Sequence, residues 1–193
     1  MIRDLREDEL AAAGALAAAA FREDPGFSYI LPDDAGRRLR LPSLLAALFA
    51  VDAAAGGRVR GAFDGDAFVG VSAVIPEGAE SPDLVRWIRH LPSLGWLLWD
   101  PPALLRGAAL GRAVEELRPA DRAYLHVLAV HPATQGRGIG AALLKDALEA
   151  SGGRLYLETF TKDNVNWYER LGFKTTGEVL SASRPPFWTM RRG

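Results

Sequence analysis

A chain of 193 residues, 49% hydrophobic and 24% charged, is long enough for one domain with a sizeable core. Its formal net charge of −1 argues against a general binder of nucleic acid or of anionic membranes, so any basic surface must be local. The absence of cysteine removes structural disulfides, thiolate zinc sites and a cysteine acyl-enzyme.

Met1–Leu5 reads as a short strand, followed by a helix from about Glu7 to Arg22. The first residues lack the apolar stretch of a secretory signal. The Ala-rich run from Leu10 to Phe21 is too short to span a bilayer. A cytoplasmic protein with no membrane role is therefore expected. Asp24-Pro25-Gly26 ends the helix, and Phe27, Tyr29 and Ile30 follow in a predicted loop. Another helix, roughly Ala35 to Ala55, stops at Gly56-Gly57. Arg58–Phe63 and Ala67–Ile75 pattern as an antiparallel hairpin around Asp64-Gly65.

Residues 79–119 differ in character. They hold Trp87, Trp96 and Trp99, and prolines at 82, 92, 101 and 102 break the helical pieces. From Asp121 the order is strand, glycine loop, helix to about Ala150, strand (Arg154–Thr159), short helix, strand, strand. The short helix runs Val165–Leu171, with Asn164 as its N-cap and Gly172 as its stop. Phe173–Leu180 and Pro186–Met190 are the last two predicted strands. No repeat or linker divides the chain, so residues 1–193 form a single domain, with 79–119 as a helical insertion.

The stretch of greatest chemical content is Tyr124–Ala141. An apolar run, Tyr124–Val130, reads as a buried strand that His131-Pro132 stops. Gly136, Gly138 and Gly140 then open a helix. Three glycines in five residues leave backbone N–H groups uncovered at the positive end of a helix dipole, where a diphosphate is favoured. Gly136-Arg137-Gly138-Ile139-Gly140-Ala141 also fits the dinucleotide pattern G-x-G-x-x-A, and Glu158 lies 20 residues beyond Gly138. Two features oppose that reading. Five residues, His131 to Gln135, separate the strand from the first glycine, and only 35 residues follow Glu158, too few for the further βαβ units of a doubly wound sheet. A P-loop is excluded because no Gly-Lys-Ser/Thr follows.

Gln135-Gly136-Arg137-Gly138-Ile139-Gly140 resembles the Q/R-x-x-G-x-G/A signature of the GCN5-related N-acetyltransferase (GNAT) superfamily. Asn164-Val165-Asn166-Trp167-Tyr168-Glu169-Arg170-Leu171-Gly172-Phe173 resembles that family's N-x-x-x-Y-E-x-x-G-F block. Within the superfamily the chain is similar to the puromycin N-acetyltransferase-like branch, and Tyr124–His131 to the arylalkylamine acetyltransferases. The resemblance implies an α/β (α+β) GNAT fold. Its central sheet would be mixed, of about seven strands, mostly antiparallel with a splayed parallel pair, and flanked by helices. It also implies acetyl-coenzyme A as cosubstrate, no metal, and acetyl transfer to a primary amine by direct attack. A homodimer is allowed. A non-catalytic acyl-coenzyme A sensor of the same fold is the alternative.

The residues fall into roles on that basis. The main chain from Gly136 to Ala141, including Ile139, would hold the pyrophosphate, with Gln135 in the signature and the Arg137 side chain adding charge. The resemblance places the N–H of Leu128 or Ala129 at the thioester carbonyl and Val130 beside the pantetheine arm. His126 is the candidate base: alternation puts Tyr124, His126, Leu128 and Val130 on one face, and imidazole titrates near neutrality. A histidine simply packed in the sheet explains it equally well. Glu158, ending the neighbouring strand, is the alternative base or a structural carboxylate, and His131 reads as a turn residue. Tyr168 is the candidate acid for the leaving thiolate, since a phenol of pKa about 10 is reasonably matched to it. Asn164 could contact the coenzyme as well as cap its helix.

The acceptor is expected to be a small-molecule amine. The stretch 79–119, the loop Asp24–Leu31 and the final Phe187-Trp188 are the candidates for shaping its site. The three tryptophans could line a pocket or pack the insertion onto the sheet. Asp24, Asp33 and Asp34 could attract a cationic amine or simply face solvent.

Overall fold

The computed structural model describes residues 1–79, 87 and 94–193. Its strands are β1 (Ile2–Asp4), β2 (Arg58–Asp64), β3 (Ala67–Ile75), β4 (Ala123–Val130), β5 (Leu155–Thr159), β6 (Lys174–Val179) and β7 (Phe187–Arg192). They form one seven-stranded sheet in the order β1-β2-β3-β4-β5-β7-β6. Every neighbouring pair is antiparallel except β4 and β5. The mixed sheet expected from the resemblance is therefore present.

One layer of helices covers the sheet's first face. Helix α1 (Leu10–Ala20) follows a 3-10 turn at Glu7–Glu9, and α3 (Asp34–Ala54) lies beside it. Alanine and glycine are what allow the two helices to meet closely. A Cβ on Gly14 would stand 2.4 Å from the Pro42 carbonyl oxygen and 2.7 Å from the Ala46 nitrogen. Leu16, Ala17, Leu45 and Phe49 pack here against Val71, Ala73, Val127 and Ala129 of β3 and β4. On the opposite face, Leu144 and Ala147 of α5 (Ile139–Ala150) and Tyr168 of α6 (Lys162–Arg170) enclose Leu125, Leu155, Leu157 and Met190.

The segment predicted as a loop around Phe27 is a helix, α2 (Pro25–Ile30). Asp24 explains the difference: its carboxylate caps the turn by accepting from Gly26 N (2.9 Å) and Phe27 N (3.1 Å), and Pro25 sits where helices start well. Gly65 takes φ +60° in the two-residue turn that joins β2 to β3. Helix α4 (Pro101–Glu115) begins the same way as α2, with Asp100 accepting from Ala103 N. Residues 80–86 and 88–93, part of the expected insertion, lie outside the described residues.

Candidate active site

The sheet opens in the middle. Strands β4 and β5 pair only at Ala123–Leu155 and Tyr124–Tyr156. Beyond that point β4 stays with β3 as far as Val130–Gly70, while β5 stays with β7 as far as Thr159–Trp188. Each strand is held on its outer side by an antiparallel partner, so the inner edges part and leave peptide groups of β4 unpaired. The bond from His131 N to Val69 O (2.9 Å) fixes which groups those are. Peptide groups alternate edges along a strand, so Ala129 N–H points to β3 with that of His131, while Leu128 and Val130 turn theirs toward the gap. The Val130 carbonyl there accepts from Gln135 Nε2 at 3.2 Å, which closes the turn after β4. Of the two amides considered for the thioester carbonyl, Leu128 is thus the one on the open edge.

The expectation that Tyr124, His126, Leu128 and Val130 share a face is corrected. Val74 pairs with Leu125 and Ala73 with Val127, so His126 is an extra residue in a β-bulge. A bulge flips the alternation. Tyr124, paired with Ile75, looks to the α3 side together with Val127 and Ala129, and Leu128 and Val130 look to the α5 side. His126 stacks on Tyr124 with ring centroids 4.9 Å apart.

The bulge brings His126 to a residue that the sequence reading missed. Its Nδ1 lies 3.0 Å from both carboxylate oxygens of Asp52, which is wholly buried in the last turn of α3. Asp52 stands 74 positions from His126 in an apolar helix, without a motif that could have marked it. On the neighbouring strand, the Tyr124 hydroxyl donates to Glu158 Oε1, and Glu158 Oε2 is buried without a hydrogen-bond partner among the described residues. Burial pushes the Glu158 carboxyl up to about 7, against the Tyr124 hydrogen bond and the nearby His126 charge. For His126, burial works to lower the imidazole, but the charge and hydrogen bond of Asp52, with the charge of Glu158, outweigh it and leave the pKa raised. A carboxyl raised to about 7 and an imidazole raised above its ordinary value therefore border the parted strands.

The glycine loop takes the form that its composition implies. Gly136 and Gly138 have φ of +79° and +80°, and nothing lies within 4 Å of a Cβ placed on either, so backbone conformation rather than space requires glycine. Gly138 is the N-cap of α5 and offers no side chain to the first turn, so the N–H groups of Ile139, Gly140 and Ala141 stay uncapped. Arg137 is tethered to Asp64 of the β2–β3 turn at 2.7 Å, an exposed pair that an anion could open. Gly140 admits Trp167, whose ring atoms approach within 3.6 Å of a Cβ placed there. Trp167 meets Tyr168 edge-on at 4.8 Å, which links the loop to α6. Tyr168 is buried, and its hydroxyl has no hydrogen-bond partner among the described residues. Burial, and then the Glu158 charge, push this phenol above its usual range, away from the match to a thiol assumed from the free side chain.

Other expectations shift. Thr161, not Asn164, caps α6 by accepting from Asn164 N at 3.3 Å, and the Asn164 side chain donates to Thr159 Oγ1 at 3.0 Å. The acidic residues considered for amine attraction are already engaged. Asp24 and Asp33 cap α2 and α3, while Asp34 pairs with Arg22, Arg37 and Arg38. Trp96 packs under α3, donating to Ser43 Oγ at 3.3 Å, whereas Trp99 is exposed, so these two do not line one pocket. Phe187 and Trp188 are buried in β7. His131 Nδ1 accepts from Ala133 N in the turn, as expected. Among the described residues no group of three His, Cys, Asp or Glu could hold a metal ion, and no helix is long and apolar enough to cross a membrane.

Comparison with known proteins agrees with this geometry. Residues 103–175 match the family model of the acetyltransferase (GNAT) domain. Over 74 residues the chain is 39% identical to the N-alpha-acetyltransferase RimI of Mycobacterium tuberculosis, an alignment covering 35% of this chain and 47% of that protein. The chain thus spans about half the length of that curated relative. The crystal structure of a histone acetyltransferase HPA2 and related acetyltransferase from Corynebacterium glutamicum superposes with a TM-score of 0.72 at 23% identity, covering 100% of this chain and 94% of that one. PaiA N-acetyltransferase from Thermoplasma acidophilum, solved in complex with coenzyme A, gives a TM-score of 0.57 at 15% identity over 99% of this chain and 96% of that one. What is shared with these two structures is the fold.

Proposed function

We propose, from the match of residues 103–175 to the acetyltransferase (GNAT) domain, that the protein transfers the acetyl group of acetyl-coenzyme A to the primary amine of a small molecule. One observation carries the reading. An uncapped helix start with two positive-φ glycines lies at the end of the strand whose inner edge has parted from its neighbour. Free amides at a helix N-terminus suit a diphosphate, and an open strand edge suits the amide groups of a pantetheine arm. The residues present thus fit the coenzyme, with Gly136–Ala141 at its phosphates and Leu128 and Val130 along its arm.

The cosubstrate supplies an acetyl thioester, and the chain's own residues do the rest. The Leu128 N–H is available to the acyl oxygen, where one such donor is worth about 3–4 kcal/mol in other enzymes. The region of His126 and Glu158 takes a proton from the amine. Tyr168, kept protonated by burial, donates a hydrogen bond that stabilises the departing sulfur as charge develops there. With no cysteine in the chain, direct attack by the amine is the simplest course.

The test is release of free thiol from acetyl-coenzyme A with a panel of small primary amines and a peptide bearing a free N-terminus. Amine-dependent release by the small amines is the expected result. Turnover of the peptide alone would reject the small-molecule acceptor, and saturable coenzyme binding without turnover would make the protein a sensor.

A further inference from the structure

We propose that Asp52 is a positioning residue: it holds His126 in the tautomer with the proton on Nδ1, so that Nε2 accepts the proton of the attacking amine. This rests on the acetyl-transfer reading above and deepens it by choosing between His126 and Glu158.

The geometry is specific. Asp52 is wholly buried, and His126 Nδ1 is equidistant, at 3.0 Å, from its two oxygens. A carboxylate in that setting needs a donor, because burying an uncompensated charge is costly. His126 is the side-chain donor it meets among the described residues. The aspartate is itself well anchored. Its carbonyl oxygen accepts from Gly57 N at 2.8 Å, and a Cβ on Gly57 would come within 2.7 Å of that oxygen, so α3 and β2 meet tightly at this point. The bulge supplies the other half by turning His126 toward α3, and stacking on Tyr124 fixes the ring plane. With Nδ1–H committed to Asp52, the neutral imidazole carries its lone pair on Nε2, which has no partner among the described residues. The His126 side chain keeps 25% of its surface exposed, so the ring is reachable. Glu158 differs: its Oε1 is engaged by Tyr124 and its Oε2 is enclosed.

The proton balance closes. The amine N–H breaks and Nε2–H forms, while the freed nitrogen pair bonds to the acyl carbon as the carbon–sulfur bond breaks. The departing thiolate, hydrogen-bonded by the Tyr168 hydroxyl, takes its proton from solvent, and the imidazolium returns its own to solvent. The groups facing His126 are Asp52 from α3, Tyr124 from β4, Glu158 from β5 and Arg118 beyond α4.

Two measurements on the full chain decide the matter. In nitrogen-15 histidine NMR, with His126→Gln used for assignment, neutral His126 should carry its proton on Nδ1. An Nε2–H tautomer would overturn the proposal without recourse to any variant. In kinetics, Asp52→Asn should lower kcat by roughly 10²-fold, leave the acetyl-coenzyme A dissociation constant within about twofold, and move the acidic limb of the pH profile to lower pH. A merely structural Asp52 would leave that limb in place, which would also overturn the proposal. Absence of turnover with every amine in the wild-type protein would count against the functional reading, whereas the tautomer decides the positioning role by itself.

Discussion

Tyr168 and Glu158 show how far surroundings can move a side chain from its behaviour in water. A phenol free in solution lies within reach of a thiol's acidity, but burial and the Glu158 charge lift Tyr168 well away from it. It therefore stays protonated throughout the working range, and in the proposed reaction its contribution is a hydrogen bond that strengthens as negative charge builds on sulfur. Tyr168→Phe should lower kcat by on the order of 10²-fold with acetyl-coenzyme A affinity nearly unchanged, as initial rates and calorimetry would show. Glu158 carries a prediction with a definite sign. Its carboxyl is raised from an ordinary 4.5 to about 7, so the folded state binds this proton more tightly than the unfolded chain does. The associated stability is fully present below about 4.5 and is lost as pH rises through about 7. Glu158→Gln should therefore unfold at higher urea than the parent at pH 8, by about 1–3 kcal/mol, and the gap should close near pH 4. The same change removes a negative charge beside His126, so the acidic limb of the activity profile should move to lower pH.

Among elements, the α1–α3 contact is the most exposed to a single substitution. Helix α1 is nearly all alanine, and Gly14 sits where the backbone of α3 passes within contact distance. Gly14→Ala raises helix propensity, yet its methyl would collide with the Pro42 carbonyl and the Ala46 nitrogen, neither of which can swing away. Overpacking should win, at about 2–3 kcal/mol, seen as a melting temperature lower by roughly 5–10 °C. The contact matters to the site because α3 carries Asp52 at its far end. The helix starts at α2 and α6 teach a related lesson. The sequence pointed to a loop at Phe27 and a cap at Asn164, whereas Asp24 and Thr161 hold the capping positions. Several Asx and Ser/Thr residues compete to cap near each start, and the backbone path decides which is used.

For the whole molecule, the sheet is the device that leaves a strand edge open for the proposed coenzyme. Strands β4 and β5 could have paired along their full length, but each is held by an antiparallel partner on its far side, and the pair separates after two residues. A ligand recognised by that gap and by the glycine loop binds only the folded state. At about a hundred times its dissociation constant, acetyl-coenzyme A should add about 2.7 kcal/mol of stability, a rise in melting temperature of roughly 5–10 °C. NAD at the same concentration should leave the temperature unchanged. A shift with NAD and none with the coenzyme would revive the dinucleotide reading.

Local chemistry was legible along the chain: strand runs, the Gly136–Gly140 loop, the Gly172 stop and the residue types at 126, 158 and 168 all follow from short-range rules of backbone and side chain. Long-range pairing was not. The bulge that turns His126 away from Leu128 arises from register between β3 and β4. The partnership with Asp52 joins residues 74 positions apart. Both depend on how helices and strands stack; solvent exclusion there raises the proton affinities of Glu158 and Tyr168, and the Asp52 carboxylate raises that of His126. Periodicity carries information over a few residues, whereas contact and burial are properties of the packed chain.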